Sequence, residues 1–123
     1  MSAAKGVPLN PRRGEVWWVD FNPHKGSEMN KVRPAVVLSV NGVGKLPVRV
    51  VVPITGWDDR YLNQTWQVRI PASSVNGLDK ESAVDALHVR SVALVRFRDR
   101  MGRLTEEQVS EVASAAAIVL GIQ

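Results

Sequence analysis

The chain of 123 residues has no cysteine, which excludes structural disulfides and thiolate metal sites. It also has no apolar run near the about 20 residues that a membrane helix needs, so we expect no membrane partner. The absence of cysteine fits a reducing compartment, and we expect a cytoplasmic location. A chain of this length can bury a core without covalent cross-links.

Several catalytic patterns are also missing. There is no HExxH motif, no carboxylate-rich DxD pattern, no GxSxG elbow and no Walker loop. The two histidines, His24 and His88, stand too far apart in sequence for a recognisable metal motif. The sequence therefore predicts neither a metal nor another cofactor, and it disfavours nucleoside triphosphate chemistry.

The formal net charge is +4, from 16 basic and 12 acidic residues. Such a balance suits a polyanion such as RNA, and it suits an acidic protein partner equally well. Many small proteins carry as much charge, so the value alone does not decide between these partners and a solubilising surface.

The apolar residues predict short strands followed by one helix. Four segments read as strands: residues 14–20, 35–39, 48–54 and 66–70. Thr105 and Gln108 form a capping box before a helical apolar face of Val109, Val112, Ala113, Ala116 and Leu120, and Gly121 ends the helix. We predict a flexible arm over residues 1–11, a single domain over 12–123, and a loop over 99–103.

Three sequence words carry a resemblance to a known family: GSE at residues 26–28, RPAVVLS at 33–39 and VPIT at 52–55. In this order they resemble the MazF/PemK/Kid family of toxin endoribonucleases. The resemblance continues more loosely through LDKESAVDALHVRSV (residues 78–92) to the C-terminal helix. It implies a mainly β fold with α, a small SH3-like antiparallel β barrel as in MazF and CcdB, with a C-terminal helix.

The resemblance also implies a function. It predicts the toxin of a type II toxin–antitoxin system, which stops translation by cutting single-stranded mRNA at a specific sequence, without a ribosome or a metal. The ribose 2′-hydroxyl would attack the neighbouring phosphorus and leave a 2′,3′-cyclic phosphate and a 5′-hydroxyl. The implied partners are mRNA, an acidic antitoxin and a second copy of the chain in a homodimer.

Three residues are the catalytic candidates. The family places catalytic residues at the positions of Arg33 and Thr55, and an Arg fork matches two phosphate oxygens. Arg33 is a poor general base because an arginine side chain stays protonated in proteins, so it would stabilise charge. Glu28 is the candidate base, with His24 and water as open alternatives.

A larger set of polar, basic and aromatic residues is predicted to bind RNA. The set is His24, Lys25, Ser27, Asn30, Lys31, Trp57, Arg60, His88 and Arg90, with Arg49 and Arg69 as further candidates for a phosphate track. Trp57 lies beside Thr55, where it could stack on a base.

Two other functions stay open from the sequence. The same barrel could poison a topoisomerase, as CcdB does, through protein contacts that need neither Arg33 nor Thr55. It could also be a non-catalytic RNA-binding barrel that uses the basic loops and Trp57. Retention of all three sequence words favours the endoribonuclease.

Overall fold

A computed structural model describes residues 9–22, 32–43 and 45–122. The described part contains seven strands and one α-helix, joined by turns and short 3₁₀ segments. The elements are β1 (Glu15–Asp20), β2 (Val32–Val37), β3 (Val48–Gly56), β4 (Gln67–Ile70), β5 (Ser82–Asp85), β6 (Arg90–Ala93), β7 (Phe97–Arg103) and α1 (Glu106–Leu120). None of the helices in these ranges is long and apolar enough to span a membrane.

The strands form one antiparallel sheet in the order β4-β5-β3-β2-β1-β7, with β6 beside β3. The predicted mainly β fold with a terminal helix is confirmed. The sheet is not closed, however: within the described ranges β4 pairs only with β5, and β7 only with β1.

The long strand β3 joins two parts of the sheet. One edge of β3 pairs with β2. Its other edge pairs first with β6, over residues 48–51, and then with β5, over residues 54–56. Both ends of β3 therefore lie in the sheet but among different neighbours, and only the second end lies near the start of β2.

Two apolar clusters pack on opposite faces of the sheet. Val16, Val36 and Val52 lie opposite one another on β1, β2 and β3 and belong to the cluster that α1 covers. On the other face Trp17 packs edge-on against Phe97, with ring centroids 5.7 Å apart. Strand β1 is thus buried over most of both faces, as its largely apolar sequence predicts, and Trp18 is the exposed exception.

The terminal helix begins and ends at the predicted residues. The Thr105 side chain accepts from the Gln108 amide, and the Gln108 side chain accepts from the Thr105 amide. Gly121 closes the helix with φ of 71°, a conformation that a side chain would strain. Val109, Val112 and Ala116 are buried as predicted, but Ala113 is half-buried and Leu120 is 61% exposed.

One prediction of local structure is wrong. Residues 99–103 form the second half of strand β7 and not a loop. The strand escapes detection because it lies at the edge of the sheet, where its charged side chains face solvent and no apolar alternation results. Two register shifts against β1 disturb the pattern further.

The predicted arm and domain boundary stay predictions, because residues 1–8 lie outside the described ranges. Residues 9–11 contact the domain: Leu9 packs against the second apolar cluster and Pro11 is buried. Contacts with the sheet therefore begin before residue 12.

Candidate functional site

Arg33 and Thr55, from two separate sequence words, lie on neighbouring strands at the same end of the sheet. Ala35 of β2 pairs with Pro53 of β3 at the end of the ladder between these strands, and Arg33 and Thr55 each lie two residues beyond that pair. There β3 continues beside β5, and Thr55 pairs with Ala83. Arg33 is exposed and Thr55 is half-buried, so both can reach a ligand.

An open cleft of about 520 Å³ contains both residues, and we name it the Arg33–Thr55 cleft. Its walls come from the ends of β1, β2 and β3, from the segment 77–82 and from β7. The lining residues are Trp18, Arg33, Pro34, Ile54, Thr55, Gly56, Gly77, Leu78, Asp79, Lys80, Ser82, Asp99, Arg100 and Met101.

One wall of the cleft depends on two glycines in close backbone contact. A Cβ on Gly77 would stand 2.3 Å from the Met101 carbonyl oxygen, and one on Gly102 would stand 2.1 Å from the Val75 oxygen. Gly77 also has φ of +74°. Buried Asn76 holds this turn, because its side-chain oxygen accepts from the Leu78 amide and its NH₂ group donates to the Pro71 carbonyl. The wall is therefore rigidly attached to β7.

Lys80 contributes a second cation beside Thr55. Its Cε and Nζ atoms lie 3.1 and 3.2 Å from the position that a Cβ on Gly56 would take. The backbone keeps this segment in place, since the Trp57 amide donates to the Glu81 carbonyl at 3.0 Å and Gly56 pairs with Ser82. A glycine at position 56 thus lets the lysine lie across the strand next to Thr55.

The cations of the cleft differ in their availability. Arg100 forms an ion pair with Glu15, with 3.2 Å between Nε and Oε2. No acidic side chain of the described residues pairs with Arg33. Among the described residues, therefore, no ion pair occupies the hydrogen-bond donors of the Arg33 guanidinium, and two parallel donors suit a phosphate.

The predicted base-stacking residue Trp57 lies just outside the cleft, within a stack of side chains. The Arg69 guanidinium lies 4.4 Å from the centre of the Trp57 ring, and Tyr61 packs edge-on against the same ring at 5.7 Å. Glu81 holds Arg69 through two hydrogen bonds, of 2.8 and 3.0 Å, which lower the pKa of the Glu81 carboxyl. A base that stacks on Trp57 must therefore use the part of the ring that Arg69 leaves open.

Other predicted RNA-binding residues lie outside the cleft lining. Arg60 Nε lies 3.5 Å from Asp58 Oδ2, and His88 Nδ1 lies 2.7 Å from Asp85 Oδ2. The Arg90 guanidinium lies 5.4 Å from the centre of the Phe21 ring. All three basic side chains are exposed, and their role in RNA binding stays a prediction. The candidates His24, Lys25, Ser27, Glu28, Asn30 and Lys31 lie outside the described residues.

The interpretation of Arg49 as a phosphate-binding residue is wrong. This side chain is 4% exposed, and its guanidinium donates to the carbonyls of Pro11, Leu46 and Val48 and to the side chain of Asn10. The sequence showed one polar residue in an apolar strand, but it could not show that backbone carbonyls would surround it. Arg49 is therefore structural and joins the N-terminal segment to β3.

Sequence reasoning missed three residues that line the cleft. Trp18 is 39% exposed there, whereas its neighbour Trp17 is core, and strand alternation is the signal that separates them. Lys80 had a weaker signal, its place in a sequence word shared with the family. Arg100 has no signal in the sequence, because the charged residues of this edge strand show no apolar alternation.

The described residues contain no group of three or more His, Asp or Glu side chains that could hold a metal ion. Besides the carboxylates of Asp79 and Asp99, the cleft offers guanidinium groups, an ammonium and hydroxyls beside an aromatic ring. These groups donate hydrogen bonds and positive charge, which is what a phosphodiester with developing negative charge requires.

Comparison with known proteins supplies the family. Residues 12–120 match the family of PemK-like, MazF-like toxins of type II toxin–antitoxin systems. The endoribonuclease MazF9 of Mycobacterium tuberculosis is 32% identical over 117 residues, which cover 90% of this chain and 97% of the relative. The endoribonuclease MazF of Staphylococcus saprophyticus is 31% identical over 112 residues, covering 90% and 92%.

Solved structures agree with the sequence relatives. A MazE–MazF structure from Deinococcus radiodurans has a TM-score of 0.76 at 25% identity, covering 94% of this chain and 99% of the other. A MazF structure from the same organism has a TM-score of 0.74 at 25% identity, covering 93% and 99%. The chain belongs to the family of PemK-like, MazF-like toxins of type II toxin–antitoxin systems.

Proposed function

We propose that this chain is the toxin of a type II toxin–antitoxin system and that it cleaves single-stranded mRNA in the Arg33–Thr55 cleft, independently of the ribosome and of a metal. The observation that carries the proposal is the meeting of Arg33 and Thr55 in one open cleft. Family membership and the two relatives named endoribonuclease MazF support the reaction class.

RNA carries its own nucleophile, so the protein has to position groups and stabilise charge. When the 2′-hydroxyl attacks the neighbouring phosphorus, a bond forms to that oxygen and the bond to the 5′-oxygen breaks. The products are a 2′,3′-cyclic phosphate and a 5′-hydroxyl. A base takes the proton of the 2′-hydroxyl, and an acid returns a proton to the leaving oxygen.

Arg33 and Thr55 suit the stabilising role. The guanidinium offers two parallel donors to the non-bridging phosphate oxygens, and it bears a full charge. The Thr55 hydroxyl donates a further hydrogen bond and fixes the scissile group for in-line attack. Lys80, beside Thr55, adds a second positive charge close to the same phosphate. Glu28 is our proposed general base, with His24 and water as alternatives.

The substrate is unpaired RNA, because the 2′-hydroxyl must rotate into line and the base edges must be open to reading. Sequence preference comes from side chains around the cleft. We assign this role to half-buried Trp57, to the exposed residues Arg60, His88 and Arg90, and to the basic segment 24–31. An mRNA substrate places the protein in the cytoplasm.

The partners follow from the family and the charge. The solved relatives include MazE–MazF complexes of Deinococcus radiodurans. We propose that this toxin forms a homodimer and that the carboxylates of an acidic antitoxin segment occupy the cleft, which excludes RNA. Antitoxin binding should compete with RNA and weaken with added salt. Light scattering that shows a stable monomer would contradict the dimer.

The decisive experiment is cleavage of a long RNA in excess chelator, followed by analysis of the new ends. We expect 2′,3′-cyclic phosphate and 5′-hydroxyl ends, and no cutting where the scissile 2′-hydroxyl is replaced by hydrogen. Activity that disappears with chelator and returns with magnesium would contradict the mechanism. RNA binding without cleavage would favour the non-catalytic barrel, and inhibition of a topoisomerase would favour the CcdB-like poison.

A further inference from the structure

A second, larger cleft lies next to the Arg33–Thr55 cleft. It has a volume of about 930 Å³ and lies between the segment before β1, the end of β7 and the first turns of α1. Its charged lining residues are four arginines, Arg12, Arg13, Arg100 and Arg103, and two glutamates, Glu15 and Glu106. We name it the Arg12–Arg103 cleft.

Two of its four arginines are already engaged by the protein. Arg100 pairs with Glu15, and the Arg13 guanidinium donates to the Leu38 carbonyl. Glu15 also accepts from the Arg12 amide and from the Trp17 indole, so its carboxylate is committed to the local fold. Its negative charge still offsets part of the positive charge of the cleft.

Arg12 and Arg103 are the available pair. Both side chains are exposed, and a backbone hydrogen bond fixes each residue. The Arg12 amide donates to the Glu15 carboxylate, and the Arg103 amide donates to the Val75 carbonyl. Across the described part of the chain, neither guanidinium forms an ion pair. The backbone thus holds two guanidinium groups, neither in an ion pair with a described residue, at the rim of a cleft in which four arginines outnumber two glutamates.

The two clefts adjoin along β7. Arg100 borders both of them, and the strand continues from Arg100 in the first cleft to Arg103 in the second. Three residues of extended strand span about 10 Å. A polyanion that leaves the Arg33–Thr55 cleft past Arg100 therefore meets Arg103 next and can follow a continuous series of arginines.

We propose that the Arg12–Arg103 cleft binds the phosphates of RNA that extends beyond the cleaved bond, independently of base sequence. This inference rests on the proposed function, and it adds a second contact region to the same substrate. The charge of the lining and its position favour RNA, because four arginines outnumber two glutamates and the cleft adjoins the site of the proposed cleavage. Leu104 and Val109 are buried, whereas Val75 is 56% exposed.

The test compares RNAs of increasing length that share one mapped cleavage site. The variant R12A/R103A removes both guanidinium groups and keeps the backbone hydrogen bonds. Binding is measured by fluorescence anisotropy on non-cleavable RNA with a 2′-deoxy scissile position, and cleavage is measured as KM and kcat. K45A is the control, since Lys45 is exposed and lines neither cleft.

We expect a loss of affinity that grows with RNA length, a several-fold rise in KM for long RNA, and a smaller change in kcat. The slope of log K against log salt should become shallower by about 0.7 for each phosphate that the variant no longer neutralises. R12K/R103K should recover most of the affinity, because it keeps the charge. K45A should match the unmodified chain.

Two outcomes would overturn the inference. One is an equal effect of R12A/R103A and K45A at every RNA length. The other is unchanged RNA binding together with weaker binding of an acidic peptide, which would assign the cleft to a protein partner. A chain that cuts no RNA at all would contradict the proposed function, and the anisotropy measurement would still test the second cleft.

Discussion

The two ends of β3 carry polar residues that differ in their access to a ligand. Near its first residue, Arg49 is buried and donates to three backbone carbonyls and one side-chain oxygen. Near its last residue, Thr55 faces an open cleft that it shares with Arg33. The comparison of Arg33 with Arg49 shows that the surroundings of an arginine, and not its charge, decide whether it can bind a ligand.

The largest expected effect is on activity at the open end. R33A should lower cleavage on the order of 10²–10³-fold, because it removes one donor to the charge that develops on phosphate. Thermal unfolding should change little, since Arg33 is exposed. The measurement is single-turnover cleavage of a mapped RNA, with circular dichroism to verify folding.

A matched control for this variant is R98A. Arg98 is an exposed arginine that pairs with Asp20 and lines neither cleft. Loss of an exposed ion pair costs about 0–1 kcal/mol, so R98A should stay folded and active. A folded R33A protein that cuts RNA as fast as R98A would remove Arg33 from the mechanism.

At the buried end the effect should fall on stability. R49M keeps an unbranched side chain and removes the guanidinium, which leaves the carbonyls of Pro11 and Leu46 without this donor. We expect the free energy of unfolding to fall by about 1–3 kcal/mol, measured by urea titration. Cleavage per folded molecule should be retained. A stable R49M chain with weakened affinity for RNA would restore Arg49 to the phosphate track.

The sequence indicates which elements exist better than it indicates which side chains face one another. The helix is predictable to its caps, because Thr105, Gln108 and Gly121 act locally. Arg33 and Thr55 are identifiable through the family words, but their meeting depends on strand register. Lys80 and Arg100 reach the cleft through long-range packing of residues 77–82 against β7, which no local pattern encodes.

A smaller effect on activity is expected for Lys80, the second cation of the open end. K80A should lower kcat/KM about tenfold. This factor corresponds to about 1.5 kcal/mol, the low end of the contribution of a hydrogen bond to a charged group. K80R keeps the charge and should retain most activity. If K80A and K80R lower activity equally, the size of the side chain beside Gly56 matters and its charge does not.

The smallest expected effect concerns the support behind the open end, where Glu81 holds Arg69 against Trp57. Hydrogen bonds from Arg69 lower the pKa of Glu81 in the folded chain. The contribution of this pair to stability is therefore fully present above the ordinary glutamate pKa of about 4.3, and it disappears as pH falls through the lower folded value. We expect a small effect, because both side chains are exposed and solvent screens the pair. The measurement is thermal unfolding between about pH 6 and pH 3, the range over which glutamate titrates. The unmodified chain should lose stability more steeply than E81Q, because the neutral amide of E81Q cannot titrate. Parallel curves for the two chains would show that the Arg69–Glu81 pair contributes nothing to the stability of this end of β3.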